Sequence, residues 1–266
     1  SHPPTKNYWE TFFQTISINI ETFEYKDFGL STTMTEELHN QLSNAFNVLK
    51  KLETKSEEEL IPDDPNITLL IQLWEPYNSS SPYPVLFPIR HSLFADSTLP
   101  VRIITKDPQK EWSEKFKEAF PPFPIKTYSI EKWRKRFTRA ADRRQLLKET
   151  RIFMADRRVS HVIDDILGAD FFEKKRTPVL VNLEKEDILE DVKHVFECTL
   201  AILPKGYKFA CPIGKLSWEV NDVADNGCDA IDGIFKKIGK EKIASISIET
   251  PSNIIPVYQY SNSSFF

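Results

Sequence analysis

The chain has 266 residues, of which 40% are hydrophobic, and a formal net charge of −4 at pH 7. That is enough apolar material for two modest folded domains, and the acidic total excludes a nucleic-acid binder of the histone kind. The sequence contains no run of 18 apolar residues and no basic segment followed by an apolar one at its start, so we expect neither a membrane span nor a secretory signal.

The first part of the chain predicts one helix followed by two strands. Residues 1–33 show no clear periodicity, and we expect an extension that packs on the first domain. Residues 34–52 predict a helix with an apolar face at three- and four-residue spacing, formed by Leu38, Leu42, Ala45, Phe46 and Leu49. Residues 67–74 and 85–94 predict two strands, the second with a proline at its edge.

From residue 99 onward, short apolar strands alternate regularly with helices. The predicted strands are residues 100–105, 125–128, 152–155 and 178–182, and the predicted helices are residues 111–120, 131–148 and 160–167. Ser129 is placed to cap the long basic helix, whose inward face carries Trp133, Phe137, Ala140 and Leu147. Such an alternation is typical of a small parallel sheet that is covered by helices on both faces.

After residue 182 the regular alternation of short strands and helices ends, and the pattern resembles that of the first part of the chain. It predicts a helix at residues 190–198, strands on both sides of Pro204–Gly206, a helix at residues 221–238, and two closing strands interrupted at residues 250–253. The fold class is therefore α/β and α+β. Residues 1–97 and 183–266 are predicted to form a discontinuous α+β domain, into which residues 98–182 insert a Rossmann-like α/β domain through a double hinge.

Two short polar segments end the strands that flank the last helix, at Gly214–Lys215 and at Thr250–Ser252. If the two strands are neighbours, both segments open on the same edge of a sheet and can present hydroxyls, amides and a lysine to one ligand. The alternative is that these residues only form turns, since Gly, Ser, Thr and Pro are common turn formers.

Charge is distributed unevenly along the chain. Residues 126–158 hold twelve Lys or Arg against four acidic residues, a net charge of +8, so the remainder carries −12. This asymmetry indicates either a surface that faces a polyanion or a solvated helix face that acids from elsewhere balance. The basic helix supplies the candidate second surface: Lys132, Arg134, Lys135, Arg136, Arg139, Arg143 and Arg144.

Cysteine, histidine and glycine usage argues against several kinds of site. Cys198, Cys211 and Cys228 match neither a disulfide framework nor a zinc motif, and they favour buried reduced thiols. The five histidines show no metal-ligand spacing, and only seven glycines occur in the chain. We therefore expect no metal, no cofactor and no glycine-rich nucleotide loop.

Several motifs in order resemble the ribosomal protein L1 family. The segments CPIGKLSW (211–218), VNDVADNGCDAI (220–231) and IETPSNIIPVY (248–258) are similar to that family's Pro-Ile-Gly-Lys-x-Ser-Phe segment, following helix and Thr-Met-Gly-Pro strand end. LFPIRHSLF (86–94) resembles its Val-x-Leu-Pro-His-x-Leu segment. The resemblance covers about residues 35–260 and implies a two-domain fold with the discontinuous layout predicted above.

Within the family, three further segments, residues 104–108, 153–179 and 255–261, resemble the nucleolar ribosome-assembly factors. That branch implies binding to structured pre-ribosomal RNA without catalysis, and a role in rRNA processing in the nucleolus. It further implies a monomer within a large pre-ribosomal particle, favouring the small-subunit processome, with other assembly factors as partners. Gly214, Lys215 and Thr250 match the family pattern, but Pro251–Ser252 replaces Met-Gly, which favours an assembly factor over a stalk ribosomal protein.

Short polar side chains, backbone amides and a few cations suit the 2′-hydroxyls and phosphates of folded RNA. The candidate RNA-binding residues are Arg90, His91, Lys205, Lys208, Gly214, Lys215, Ser217, Thr250, Pro251, Ser252 and Asn253. Two other hypotheses remain open. The chain is a protein scaffold whose RNA-binding edge has decayed and whose basic helix docks an acidic partner, or it is an enzyme using His161 with Asp164 and Asp165. The enzyme is disfavoured because His and Asp at this spacing are common on solvated helices and no nucleophile with the required orientation accompanies them.

Overall fold

The architecture combines an antiparallel layer and a parallel layer. The computed structural model describes residues 32–53, 64–94, 99–119, 125–184 and 188–260. The predicted extension at residues 1–33 lies outside this range except for its last two residues, which begin a helix. The elements in chain order are α1 (Thr32–Glu53), β1 (Asn66–Asn78), β2 (Val85–Pro88), β3 (Val101–Thr105), α2 (Gln109–Ala119), β4 (Ile125–Ser129), α3 (Ile130–Arg136), α4 (Ala140–Lys148), β5 (Phe153–Asp156), α5 (Ser160–Leu167), α6 (Ala169–Glu173), β6 (Val179–Val181), α7 (Ile188–Phe196), β7 (Cys198–Ala201), β8 (Lys205–Lys215), α8 (Val220–Ile238), β9 (Ile243–Glu249) and β10 (Ile254–Gln259).

The antiparallel layer is a four-stranded sheet covered by α1 and α8. Its strand order is β10-β9-β1-β8, and all neighbours are antiparallel. Alternate residues of β1 point under the two helices and are buried, since successive side chains of a strand face opposite sides. These strand residues pack with the apolar faces of both helices in one core that includes Ile67, Leu69, Ile71, Leu42, Phe46, Leu49, Ile231 and Ile234. Burying each side chain of this size contributes about 1.5–3 kcal/mol relative to its exposure.

The parallel layer has the strand order β4-β3-β5-β6, with apolar clusters on both of its faces. One face packs against α2, through Trp112 and Phe116. The other packs against Trp133, Phe137 and Phe171, so the aromatic residues with helical spacing belong to the core. Val192 and Val195 of α7 are also buried in the first cluster, and α7 therefore packs with the parallel layer.

The predicted single basic helix over residues 131–148 is wrong, because the structure divides it into α3 and α4. Phe137 leaves helical geometry with φ −112° and ψ 47°. The Arg143 guanidinium donates hydrogen bonds to the carbonyls of Phe137 and Thr138 at 2.9 and 3.0 Å. A side chain thus satisfies the carbonyls that a continuous helix would have paired with backbone amides. The predicted cap is confirmed, since the Ser129 hydroxyl accepts from the Lys132 amide.

All three cysteines are buried in the thiol form, as the sequence predicts. Burial raises the pKa of Cys211 to about 12. Burial and neighbouring carboxylates raise the pKa of Cys228 to about 12, an effect that Arg90 partly opposes. Burial and the charge of Glu197 raise the pKa of Cys198 to about 11. Because the thiolate is the reactive form, these thiols are unreactive at neutral pH.

Candidate functional site

Both predicted polar segments lie at the same end of the antiparallel sheet. In the register, Asn66 pairs with Lys215, and Thr68 and Ile254 both pair with Glu249. The end of β8, the start of β1, the end of β9 and the start of β10 therefore meet at one edge, which we call the polar edge. The strands that end in the two polar segments, β8 and β9, are not adjacent, because β1 lies between them.

The sequence predicts that Gly214 lies in a loop, and this prediction is wrong. Gly214 is the penultimate residue of β8, where it is buried. A Cβ atom at this position would lie 2.8 Å from Val223 Cγ2 and 3.1 Å from Trp218 Cε3. The glycine is therefore required by the close packing of β8 against Trp218 and the start of α8. This packing fixes where the segment after β8 leaves the sheet.

The segment after β8 is held by Asp64, which precedes β1. The Ser217 amide and hydroxyl donate to the two carboxylate oxygens of Asp64 at 2.9 and 3.0 Å. Lys215 Nζ lies 3.7 Å from the same carboxylate. The positive charge of Lys215 is therefore partly balanced within the protein, while Ser217 and Asn66 remain exposed at the edge.

The turn between β9 and β10 is closed by side chains that point inward. Thr250 is only 7% exposed, and its hydroxyl donates to Glu53 Oε1. The Asn253 amide N–H donates to the Thr250 hydroxyl at 3.0 Å, and Asn253 Nδ2 donates to Glu53 Oε1 at 2.9 Å. The expectation that Thr250 presents its hydroxyl to a ligand is therefore wrong; the exposed residues of the turn are Pro251 and Ser252.

The last turn of α1 braces both segments, a feature that the sequence reasoning missed. Lys50 Nζ donates to the Trp218 carbonyl at 2.6 Å, and Glu53 holds the β9–β10 turn. Residues three positions apart lie on the same face of a helix, so this spacing was the available signal. The second oxygen of Glu53, Oε2, is buried and has no hydrogen-bond partner in the part of the chain that the structure describes.

Arg90 and His91 contact the acidic face of α8. Arg90 forms ion pairs with Asp225 at 2.8 Å and Asp229 at 3.1 Å, and His91 Nε2 lies 3.4 Å from Asp225. The buried Asn226 amide fixes this loop, because it donates to the carbonyls of His91 and Ile213 at 2.8 and 2.9 Å. Both candidates therefore lie near the polar edge but face carboxylates of α8.

Lys205 and Lys208 do not join the polar edge. They pair with Asn78 and Gln72 toward the other end of β1, roughly 33 and 23 Å along the strand from Lys215 at about 3.3 Å per residue. The expected single face for all the lysines of β8 is therefore wrong. Lys208 still affects Glu249 at the end of β9. Burial raises the pKa of Glu249, and the positive charge of Lys208 partly opposes this rise.

The basic side chains of α3 and α4 lie on the parallel layer and are mostly exposed. Lys135 pairs with Glu131 at 2.5 Å, and Arg144 lies 3.9 Å from Asp170. The Arg136 guanidinium lies 5.6 Å from the Phe137 ring. Arg143 is bound to backbone carbonyls, as described above. Lys132, Arg134 and Arg139 are exposed and complete this basic surface.

The described residues contain neither a metal cluster nor a membrane-spanning helix. No group of three His, Cys, Asp or Glu residues there is arranged to hold a metal ion, and no helix there has the length and apolar character needed to span a membrane.

Asp164, which the sequence suggests as a catalytic partner of His161, accepts a hydrogen bond from the Tyr83 hydroxyl at 2.7 Å. This bond joins the segment before β2 to α5 of the parallel layer.

Comparison with known proteins places this geometry in a family context. The profile of the Ribosomal protein L1p/L10e family matches residues 48–253. A putative ribosome biogenesis protein of Schizosaccharomyces pombe is 27% identical over 168 residues, covering 60% of this chain and 45% of that protein. Ribosome biogenesis protein UTP30 of Saccharomyces cerevisiae is 25% identical over 214 residues, covering 67% and 75%. Ribosomal L1 domain-containing protein 1 of mouse is 23% identical over 219 residues, covering 78% and 48%. The matched region thus spans about half the length of the fission yeast and mouse relatives.

Proposed function

This chain belongs to the ribosomal protein L1p/L10e family, and we propose that it is a non-catalytic ribosome-biogenesis factor that binds structured pre-ribosomal RNA. The names of the three relatives given above, two ribosome biogenesis proteins and one L1-domain protein, support the biogenesis role. The observation that carries the RNA-binding role is the polar edge, where two segments distant in sequence meet at one end of a four-stranded sheet.

The chemistry of the polar edge suits folded RNA. Its exposed groups are the side chains of Asn66, Ser217 and Ser252, which can exchange hydrogen bonds with 2′-hydroxyls and base edges in a shallow minor groove. Lys215 supplies charge for a phosphate. Because Lys50 and Glu53 hold the two segments before RNA arrives, binding costs little ordering entropy.

The finer assignments extend this proposal. The protein acts in the nucleolus, in the small-subunit processome, as a monomer contacting other assembly factors. The sequence predicts that residues 1–97 and 183–266 form the discontinuous α+β domain that carries the polar edge, and that residues 98–182 form the inserted Rossmann-like α/β domain; we keep this layout with one change to its second boundary. The burial of Val192 and Val195 against the parallel sheet favours a second crossing after α7 rather than at residue 183.

Filter binding to pre-ribosomal RNA at two salt concentrations tests the proposal. Binding should weaken as salt rises, because phosphate contacts release counterions. Lys215→Gln should lower the affinity and reduce the salt slope by about one. The matched control is Lys237→Gln, which removes an equal, exposed charge near the far end of α8. A wild-type protein with no salt-dependent RNA binding contradicts the proposal.

A second candidate function is a protein scaffold within the pre-ribosome. The carboxylates that pair with Arg90 and Lys215 favour it, because they reduce the positive charge near the edge. In that case the exposed cations of α3 and α4 dock an acidic partner. Reversing the charge of Arg134 and Arg139 should then abolish recruitment to the particle, whereas Lys215→Gln should leave recruitment unchanged.

A further inference from the structure

A cavity of about 330 Å³ lies between the antiparallel layer and the parallel layer. We propose that this cavity binds a phosphate group through cations contributed by both layers. One wall carries Lys215 and Asn66 from the polar edge, and the opposite wall carries Arg151, Lys175 and Arg176. The cavity adjoins the polar edge, because Lys215 and Asn66 belong to both, but its other cations come from the parallel layer.

The side chains around the cavity have the charge that a phosphate requires. Four cationic residues line it, and no Asp or Glu does so in the part of the chain that the structure describes. Asp64, which lies 3.7 Å from Lys215 Nζ, is outside this lining. In a concave site lined by cations, apolar walls of low dielectric constant concentrate the positive potential.

Arg176 is a partly buried cation of the cavity whose partners are neutral groups. Its guanidinium donates to the carbonyls of Thr150 and Arg151 at 2.6 and 3.3 Å and lies 6.0 Å from the Phe153 ring. Burial and, secondarily, the charge of Arg151 lower the pKa of Arg176. The two carbonyls accept hydrogen bonds from the Arg176 guanidinium and the ring lies beside it, but none of these groups carries a negative charge. A bound anion would supply it.

The cavity has room for a phosphate group and supplies donors for its oxygens. Its volume is about ten times the roughly 30 Å³ that one water molecule occupies in the liquid. Guanidinium and ammonium groups form short, charge-assisted hydrogen bonds with phosphate oxygens, and the Asn66 side-chain amide adds a neutral donor. The phosphate belongs either to an RNA backbone that continues from the polar edge or to a small polyphosphate. The first source rests on the proposed function.

Isothermal titration calorimetry of the full chain with inorganic pyrophosphate tests whether the cavity binds a phosphate group. The wild-type protein should bind pyrophosphate, and Lys175→Gln should weaken binding about tenfold, the typical effect of losing a hydrogen bond to a charged group. Lys175 is exposed, so this variant should fold even if Arg176→Gln does not. Lys174→Gln is the matched control, because Lys174 is also exposed but does not line the cavity.

Competition with RNA identifies the source of the phosphate. Pyrophosphate should displace pre-ribosomal RNA from the wild-type protein if the RNA backbone enters the cavity. If both bind together, the site takes a small polyphosphate instead, and the inference stands with that ligand. No binding of pyrophosphate, or equal losses in the Lys175 and Lys174 variants, overturns the inference even where RNA binding persists. Pyrophosphate binding without RNA binding overturns only the proposed function.

Discussion

Glu53 at the end of α1 accepts a hydrogen bond of 2.9 Å from the side-chain amide of Asn253, 200 positions further along the chain. The same carboxylate oxygen accepts from the Thr250 hydroxyl. One helix turn earlier, Lys50 binds the carbonyl that follows Ser217. The two segments of the polar edge are thus fixed by a third element, the last turn of α1.

Removing the Glu53 carboxylate should destabilise the protein and lower its affinity for RNA. Glu53→Ala removes the carboxylate that accepts from the Thr250 hydroxyl and from the Asn253 side-chain amide, at a cost of about 1–3 kcal/mol in the free energy of unfolding. Urea denaturation measures this change. Glu37→Ala, at an exposed position of the same helix, is the control and should change stability little. Equal effects of the two substitutions would show that the hydrogen bonds of Glu53 to the β9–β10 turn are unimportant for stability.

Gly214 should tolerate no side chain. Gly214→Ala places a methyl group 2.8 Å from Val223 Cγ2, and overpacking of this kind costs about 1–3 kcal/mol. Gly206→Ala in the same strand is the control, because nothing lies within 4 Å of the added Cβ. Thermal unfolding of both variants should separate them, with the loss confined to position 214. A stable Gly214→Ala protein would mean that α8 can move away from the edge.

Glu249 should make stability depend on pH. Burial raises its pKa in the folded protein, so the folded state binds this proton more tightly than the unfolded state. This contribution to stability is present below the ordinary pKa of 4.5 and is lost as the pH rises through the folded pKa. Glu249→Gln should therefore stabilise the protein at pH 7.

The pH arm of that experiment supplies its control. Urea denaturation repeated below pH 4.5 should show little difference between Glu249→Gln and the wild type, because both side chains are then neutral. Since the site is partly exposed, we expect only a small gain at pH 7. A destabilised variant at pH 7 would indicate that the ionised carboxylate has a favourable role at the edge.

Arg143 should matter for stability more than its basic neighbours. Arg143→Ala removes the donors that satisfy the Phe137 and Thr138 carbonyls, and hydrogen bonds of charged groups contribute about 1.5–3 kcal/mol. Arg144→Ala, which removes a surface contact of 3.9 Å to Asp170, should cost less than about 1 kcal/mol. Chemical denaturation compares the two. A larger loss for Arg144→Ala would exclude the capping role of Arg143.

Periodicity was sufficient to find most of the elements and their buried faces. The spacing of Trp133 and Phe137 correctly placed both rings in the core. It could not reveal the break between α3 and α4, because that break depends on a side chain, Arg143, turning back to the Phe137 and Thr138 carbonyls. Apolar spacing is the same whether the segment is one helix or two.

The polar edge was only partly accessible to sequence reasoning. Strand polarity placed Lys215 and the Thr250 turn at one end of the sheet, as the register has them. Which way Thr250 points depends on Glu53, and the partners of Arg90 depend on how α8 rotates on the sheet. Contacts made over such distances in sequence leave no local pattern.

Site-specific photo-crosslinking in cells is the most direct test of the central claim that RNA binds at the polar edge. A photoreactive residue at Ser252 should cross-link to pre-ribosomal RNA, and one at Lys205, near the opposite end of the sheet, should not. Cross-links from position 205 alone, or RNA cross-links from neither position, would contradict this account.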